Sequence, residues 1–141
     1  MGQLVLPGCA PVSDWTPPTE LPDQLYGPIV LDLETEDRGL ATGRGSGWPW
    51  RGGKVVGYAV AANNFKAYLP VAHDGGGNLD HDTVRRWLNV VLADETQLKL
   101  GANVMYDLGW ASTDGVTVRG PVYDVQWAEA LLDEHRWSYS L

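Results

Sequence analysis

Residues 28–35 read Pro-Ile-Val-Leu-Asp-Leu-Glu-Thr. Ile29, Val30, Leu31 and Leu33 are apolar and partly β-branched, so the run predicts a β-strand. Residues two apart on a strand point to one face, which sets the carboxylates of Asp32 and Glu34 side by side. Like charges held that close disfavour each other's ionised form. A divalent cation that takes oxygen ligands relieves the conflict. An ordinary strand with one wet, acidic face fits the same pattern, and the segment alone leaves both readings open.

Residues 98–107 (LKLGANVMYD) carry a second acid in a suggestive place. A short apolar strand runs into Gly101, and Asn103 stands where a helix would begin. Asn103 can cap that helix or offer its amide to a ligand. Asp107 lies four residues on, which on a helix is the same face. If this strand lies beside the first, Asp107 approaches Asp32 and Glu34. Three carboxylates at one sheet edge suit a hard cation, Mg²⁺ or Mn²⁺. A capped helix with an exposed acid is the plainer alternative.

The intervening pattern predicts how the two segments are connected. Residues 54–62 and 65–71 are strand candidates joined at Asn63-Asn64 as a hairpin. Residues 80–93 are helical, with Val84, Trp87, Leu88, Val91 and Leu92 at spacings of three and four, and with Asp80 or Asp82 as cap. Residues 97–102 predict a short strand, 103–112 a short helix, 121–124 a brief strand or turn and 125–133 a helix. Residues 39–53, rich in Gly, Arg and Trp, predict a loop. A hairpin followed by β-α alternation implies an α/β domain with a mixed sheet and flanking helices.

At 141 residues and 44% hydrophobic composition, the chain suits one domain with a real core. The Pro-rich residues 1–27 predict an irregular lead-in, or a tail that packs on the domain through Trp15 and Leu21. Cys9 stands alone, so no internal disulfide can form, and a nucleophilic role for it has no histidine motif beside it. No stretch approaches the ~20 apolar residues of a membrane span. No signal peptide is evident, and the expected location is the cytoplasm. A net charge of −8 argues against strong nonspecific nucleic-acid binding, yet allows phosphates to be handled through metal ions held by acids.

With these residues in view, the chain resembles the 3′→5′ proofreading exonuclease domain of A-family DNA polymerases, within the DEDD nucleases. Asp32 to Thr35 (DLET) looks like their first motif, and Lys99 to Asp107 (KLGANVMYD) like the second, K-x-G-x-N-x-x-Y-D. Residues 67–74 (AYLPVAHD), 123–132 (YDVQWAEALL) and the closing Tyr139-Ser140-Leu141 resemble further stretches of phage members, in the same order. The resemblance covers roughly residues 28–141 and implies a ribonuclease H-like fold. It implies Asp32, Glu34 and Asp107 as metal ligands and catalytic residues. It also implies Asn103, and less directly Thr35 and Leu40, as contacts to the terminal nucleotide of a single-stranded DNA 3′ end. In a complete site of this kind, two Mg²⁺ or Mn²⁺ ions about 4 Å apart would clamp the scissile phosphate. Asp32 would bridge both, Glu34 would bind one, and Asp107 would act on the other through water.

The family's late Y-x-x-x-D or H-x-x-x-x-D motif has no match. Tyr106 is followed four residues on by Trp110, Tyr123 by Trp127, and His135 five on by Ser140. The expectation is a fold incomplete at its C-terminus, a truncated or split product, with a polymerase or another polypeptide supplying the missing acid. Two other readings remain: a non-catalytic module of the same fold that binds DNA or a polymerase, and a nuclease of this class acting on RNA. The loop at residues 43–53 holds Arg44, Arg51, Trp48 and Trp50, which could contact phosphates and stack on bases, or could be a plain connection with one tryptophan against the core. Trp87, Trp110 and Trp127 are expected to face the core, and His73 and His81 to be surface residues.

Overall fold

The computed structural model describes residues 15–136 and 138. Cys9 and the closing Tyr139-Ser140-Leu141 lie outside them. The hydrophobic pattern resolves into a central strand β1 (Ile29–Asp37), flanked by the hairpin β2 (Gly53–Ala62) and β3 (Phe65–Pro70) on one side. Two short strands, β4 (Lys99–Gly101) and β5 (Val122–Asp124), lie on the other. The order across the sheet is β3-β2-β1-β4-β5. The hairpin pairs antiparallel, while β1, β4 and β5 run parallel, as the crossover helices between them require. The mixed α/β sheet with flanking helices is thus present.

Alternation along β1 decides which face does what. Ile29, Leu31 and Leu33 are buried, whereas Val30, Asp32 and Glu34 are exposed. The buried face meets Tyr58, Val60 and Leu69 from the hairpin and the apolar stripe of α2 (His81–Val91), formed by Val84, Leu88 and Val91. Asp80 caps α2, its side chain accepting the N–H of Thr83 at 2.8 Å. Trp110 of α3 (Val104–Thr113) fills the same core at 1% exposure.

The lead-in is irregular, but its described part packs on the domain. Leu25 is buried and Leu21 rests against the core. The indole N–H of Trp87 donates to the carbonyl of Pro22 at 2.7 Å. The hairpin tip holds the segment too: Asn64 accepts the Tyr26 N–H at 2.9 Å and donates to the carbonyl of Gln24. These bonds tie down backbone that its prolines would otherwise leave without partners.

The predicted loop between β1 and β2 is more ordered than a Gly-rich composition suggests. It contains a four-residue helix α1 (Arg38–Ala41) and a 3₁₀ turn at Trp48–Trp50. Trp48 leans on the core, and its ring lies over Gly109, where an added Cβ would come within 2.4 Å of it. One expectation fails here. Trp127, on α4 (Val125–Leu132), is 68% exposed rather than core-facing, because α4 buries none of its residues against the domain, and Leu131 and Leu132 are exposed as well.

Candidate active site

The position of Asp107 follows from where β4 stops. β4 pairs with β1 only at Ile29 and Val30, and the chain then turns into α3. The edge of β1 beyond that point has lost its strand neighbour, and a buried N–H without an acceptor is costly. Asp107, in the first turn of α3, takes the place of the missing carbonyl: its Oδ1 accepts the N–H of Leu33 at 3.2 Å. Leu33 is the residue between Asp32 and Glu34. The buried carboxylate is therefore anchored to the backbone that carries the exposed pair.

The charge state reports the same proximity. Burial pushes the Asp107 carboxyl up, and the negative charges of Asp32, Asp124 and Glu34 push it further. The Leu33 amide opposes them, and the group comes to about 7 against an ordinary 3.8. Asp32 and Glu34 make no hydrogen bond or ion pair among the described residues, so their oxygens are open to a ligand. An all-oxygen donor set of three acids, one of which resists ionising without a positive partner, has the chemistry of a hard-cation site. It is not preassembled: among the described residues no three His, Cys, Asp or Glu side chains are gathered closely enough to hold a metal ion. Asp32 and Glu34 would have to turn toward Asp107.

The other expected contacts are placed as follows. Asn103 occupies the position before α3 in a left-handed conformation, φ 55° and ψ 42°, but its side chain does not cap the helix. Asp124 does that instead, accepting the N–H of Asn103 at 3.1 Å and of Val104 at 2.8 Å. Asp124 also accepts the Gln126 N–H, so one carboxylate holds the starts of α3 and α4 together. The amide of Asn103 is left exposed, lining a cavity of about 340 Å³ with Gln126, Trp127 and Ala130. Leu40 is 56% exposed on α1. Thr35 is half-buried, with its Oγ1 2.6 Å from the hydroxyl of Tyr106. Because the Tyr106 O–H donates to Asp37, the Thr35 hydroxyl is the donor in that pair.

Asp37 is the residue that the sequence reading passed over. Its carboxylate accepts the N–H groups of Gly39, Leu40 and Gly47, the Tyr106 hydroxyl and the Trp110 indole N–H. Burial alone would raise its pKa, but the bonds from Gly47, Leu40, Tyr106 and Gly39 outweigh it and hold the group below 3.8. A signal was there: an Asp directly before a short Arg-Gly-Leu turn is a capping pattern. Lys99, the lysine of the second motif, is structural as well. It is buried, burial lowers its pKa against the pull of Asp94, and its Nζ donates to the Asp94 carbonyl. His81 bonds Asp114 at 2.7 Å and His73 bonds Tyr68, so neither joins the acids.

A solved structure described as the apo form of the nuclease superposes on this chain with a TM-score of 0.56 at 20% identity, over 82% of this chain and 48% of that one. The fold is ribonuclease H-like. No family model matches the chain. In sequence, the chain is 33% identical over 136 residues to a DNA-directed DNA polymerase of Pseudomonas phage M6. That match covers 92% of this chain but only 20% of the polymerase, so the chain spans about a fifth of its relative's length. Among the described residues no helix is long and apolar enough to cross a membrane.

Proposed function

We propose that this chain is a 3′→5′ exonuclease domain of a DNA polymerase, or a fragment of one, that removes the 3′-terminal nucleotide of DNA by metal-dependent phosphodiester hydrolysis during proofreading. The observation that carries the reading is the Asp107 carboxylate docked on the Leu33 amide, between Asp32 and Glu34. Similarity to a phage DNA polymerase over most of this chain supports it.

In this reading Asp32, Glu34 and Asp107 would hold Mg²⁺ or Mn²⁺. Bound cations of this kind activate water and neutralise charge on the phosphate and the leaving 3′-oxygen. The chain's own residues do the rest. Asp107 would hold the cation as a carboxylate, its proton passing to solvent, while the Leu33 N–H fixes its Oδ1 at β1. Asn103 and Leu40, both exposed, contact the terminal nucleotide of a single-stranded 3′ end in this reading, and Thr35, whose hydroxyl donates to Tyr106, is the third contact. The polymerase remainder would be the partner, and the cytoplasm of a bacterial host the setting.

A second reading, a catalytically impaired module of the same fold that binds nucleic acid or a polymerase, is favoured by the acids not being gathered into a closed ligand set. Release of mononucleotides from 3′-labelled single-stranded DNA with Mn²⁺ separates the two. The exonuclease reading expects release that disappears in Asp32→Ala and Asp107→Asn. Release that survives Asp32→Ala removes the site, and none at all from a folded chain that binds DNA leaves the second reading. A parallel RNA substrate fixes the sugar preference.

A further inference from the structure

The chain is acidic, but its charges are sorted. Four of its ten lysines and arginines fall within residues 38–54, a stretch without a single Asp or Glu, while all eighteen acids lie elsewhere. Arg38, Arg51 and Lys54 from this stretch line one cavity of about 260 Å³ together with Gly53 and Glu36. Glu36 satisfies part of that charge, 3.5 Å from Lys54 and 4.0 Å from Arg38, and Asp74 stands 3.6 Å from Lys54. Arg51 has no ion pair among the described residues.

Arg51 also holds a conformation that glycine adopts more readily. It takes φ 55° and ψ 38° where it closes the 3₁₀ turn, a left-handed region that glycine occupies freely and residues with side chains adopt uncommonly. The next two residues are glycines, so the local sequence is rich in the residue that would remove the strain. Strain kept at one residue beside freely adaptable neighbours points to a use for that side chain. The loop that presents it is fixed, since Asp37 binds its amides at Gly39, Leu40 and Gly47, and the N–H of Arg38 donates to the Gly52 carbonyl at 2.9 Å. Trp50, folded over Gly52, keeps half its surface open beside the cations.

We infer that Arg38, Arg51 and Lys54 form a phosphodiester-binding cleft that takes the backbone of the single strand whose end lies at Asp32, Glu34 and Asp107. Glu36 is on the same strand face as Glu34 and one side-chain step further, about 7 Å along β1. A strand reaching the acids would therefore pass the cations within a nucleotide or two. Positive charge there offsets the repulsion that an acidic chain imposes on DNA. The inference rests on the proposed exonuclease reading for which strand is bound, but the binding itself requires no metal and no cleavage.

The test is fluorescence anisotropy of a labelled single-stranded oligonucleotide in EDTA, across a KCl series, with Arg51→Gly and with Arg38→Ala/Arg51→Gly. Arg51→Gly should melt at or above the wild-type temperature, because it relieves backbone strain, yet lose roughly three- to ten-fold in affinity at low salt. The slope of log affinity against log salt should shrink by about 0.7 for each cation removed. Inorganic phosphate should displace the oligonucleotide no better than chloride at equal ionic strength. Unchanged affinity and slope in folded variants, or no oligonucleotide binding by the wild type at low salt, overturns the cleft. Displacement by low phosphate concentrations makes it a small-anion site and also overturns it. Binding that depends on Arg38 and Arg51, without nucleotide release by the wild type in Mn²⁺, would keep the cleft and sink the exonuclease reading.

Discussion

Asp107 Oδ1 accepts the N–H of Leu33 at 3.2 Å, so a helix side chain completes the strand edge that β4 leaves open. This bond ties the acid of the second segment to the backbone of the first. It also buries a carboxylate among other carboxylates, which is unfavourable for folding unless a cation joins them.

Asp107→Asn should therefore stabilise the chain at neutral pH while removing the cation site. The folded pKa of Asp107, about 7, lies above the ordinary 3.8. The folded state holds this proton more tightly than the unfolded chain does, so the group's favourable contribution is complete below about pH 4 and is lost as pH rises through about 7. The asparagine keeps an oxygen for the Leu33 N–H and carries no charge. At pH 8 it should gain about 1–3 kcal/mol by denaturant unfolding, and the gain should vanish near pH 4. A loss of stability at pH 8 would show that the carboxylate is not under electrostatic stress.

Asp37 should behave in the opposite sense. Five donors converge on its carboxylate, and four of them, the Gly47, Leu40 and Gly39 amides and the Tyr106 hydroxyl, hold its pKa below 3.8, so its contribution is present above about pH 4 and is lost as pH falls through the folded value. Asp37→Ala should cost about 2–4 kcal/mol, since it leaves amide, hydroxyl and indole donors without their acceptor. It should also loosen the loop after β1, read as faster amide exchange at Gly39, Leu40 and Gly47. Stability within a few tenths of a kcal/mol of wild type would contradict this role.

The tryptophans divide by burial rather than by sequence pattern. Trp110→Ala removes a side chain 1% exposed in the core and should cost about 3–5 kcal/mol. Trp127→Ala, at 68% exposure, should stay within about 0.5 kcal/mol of wild type. Equal losses in thermal or denaturant unfolding would mean that α4 packs differently.

Much of this was legible in the residues. Period-two alternation in 29–34 fixed both the strand and the face carrying Asp32 and Glu34, and the spacings in 80–93 fixed α2. What the sequence could not reveal depends on tertiary contacts. Trp127 sits at an apolar helical position, but a helix pattern does not say whether a partner surface is there to cover it. Asn103 carried a capping signal that Asp124, twenty-one residues away, overrides, because a charged carboxylate at two helix starts binds their amides more strongly than a neutral amide can. Asp37 was hidden because its partners come from three separated stretches, and only its turn-capping pattern was local.

Titration of Mn²⁺ by calorimetry at pH 6.5, in two buffers of different ionisation enthalpy, bears most directly on the acids acting together. Cation binding must deprotonate Asp107, so the wild type should release part of a proton as it binds Mn²⁺. Asp32→Asn should bind markedly less, and Asp107→Asn should show neither the affinity nor the proton. If the wild type binds no Mn²⁺, or if both variants bind it with the wild-type affinity and proton release, Asp32, Glu34 and Asp107 do not make one site.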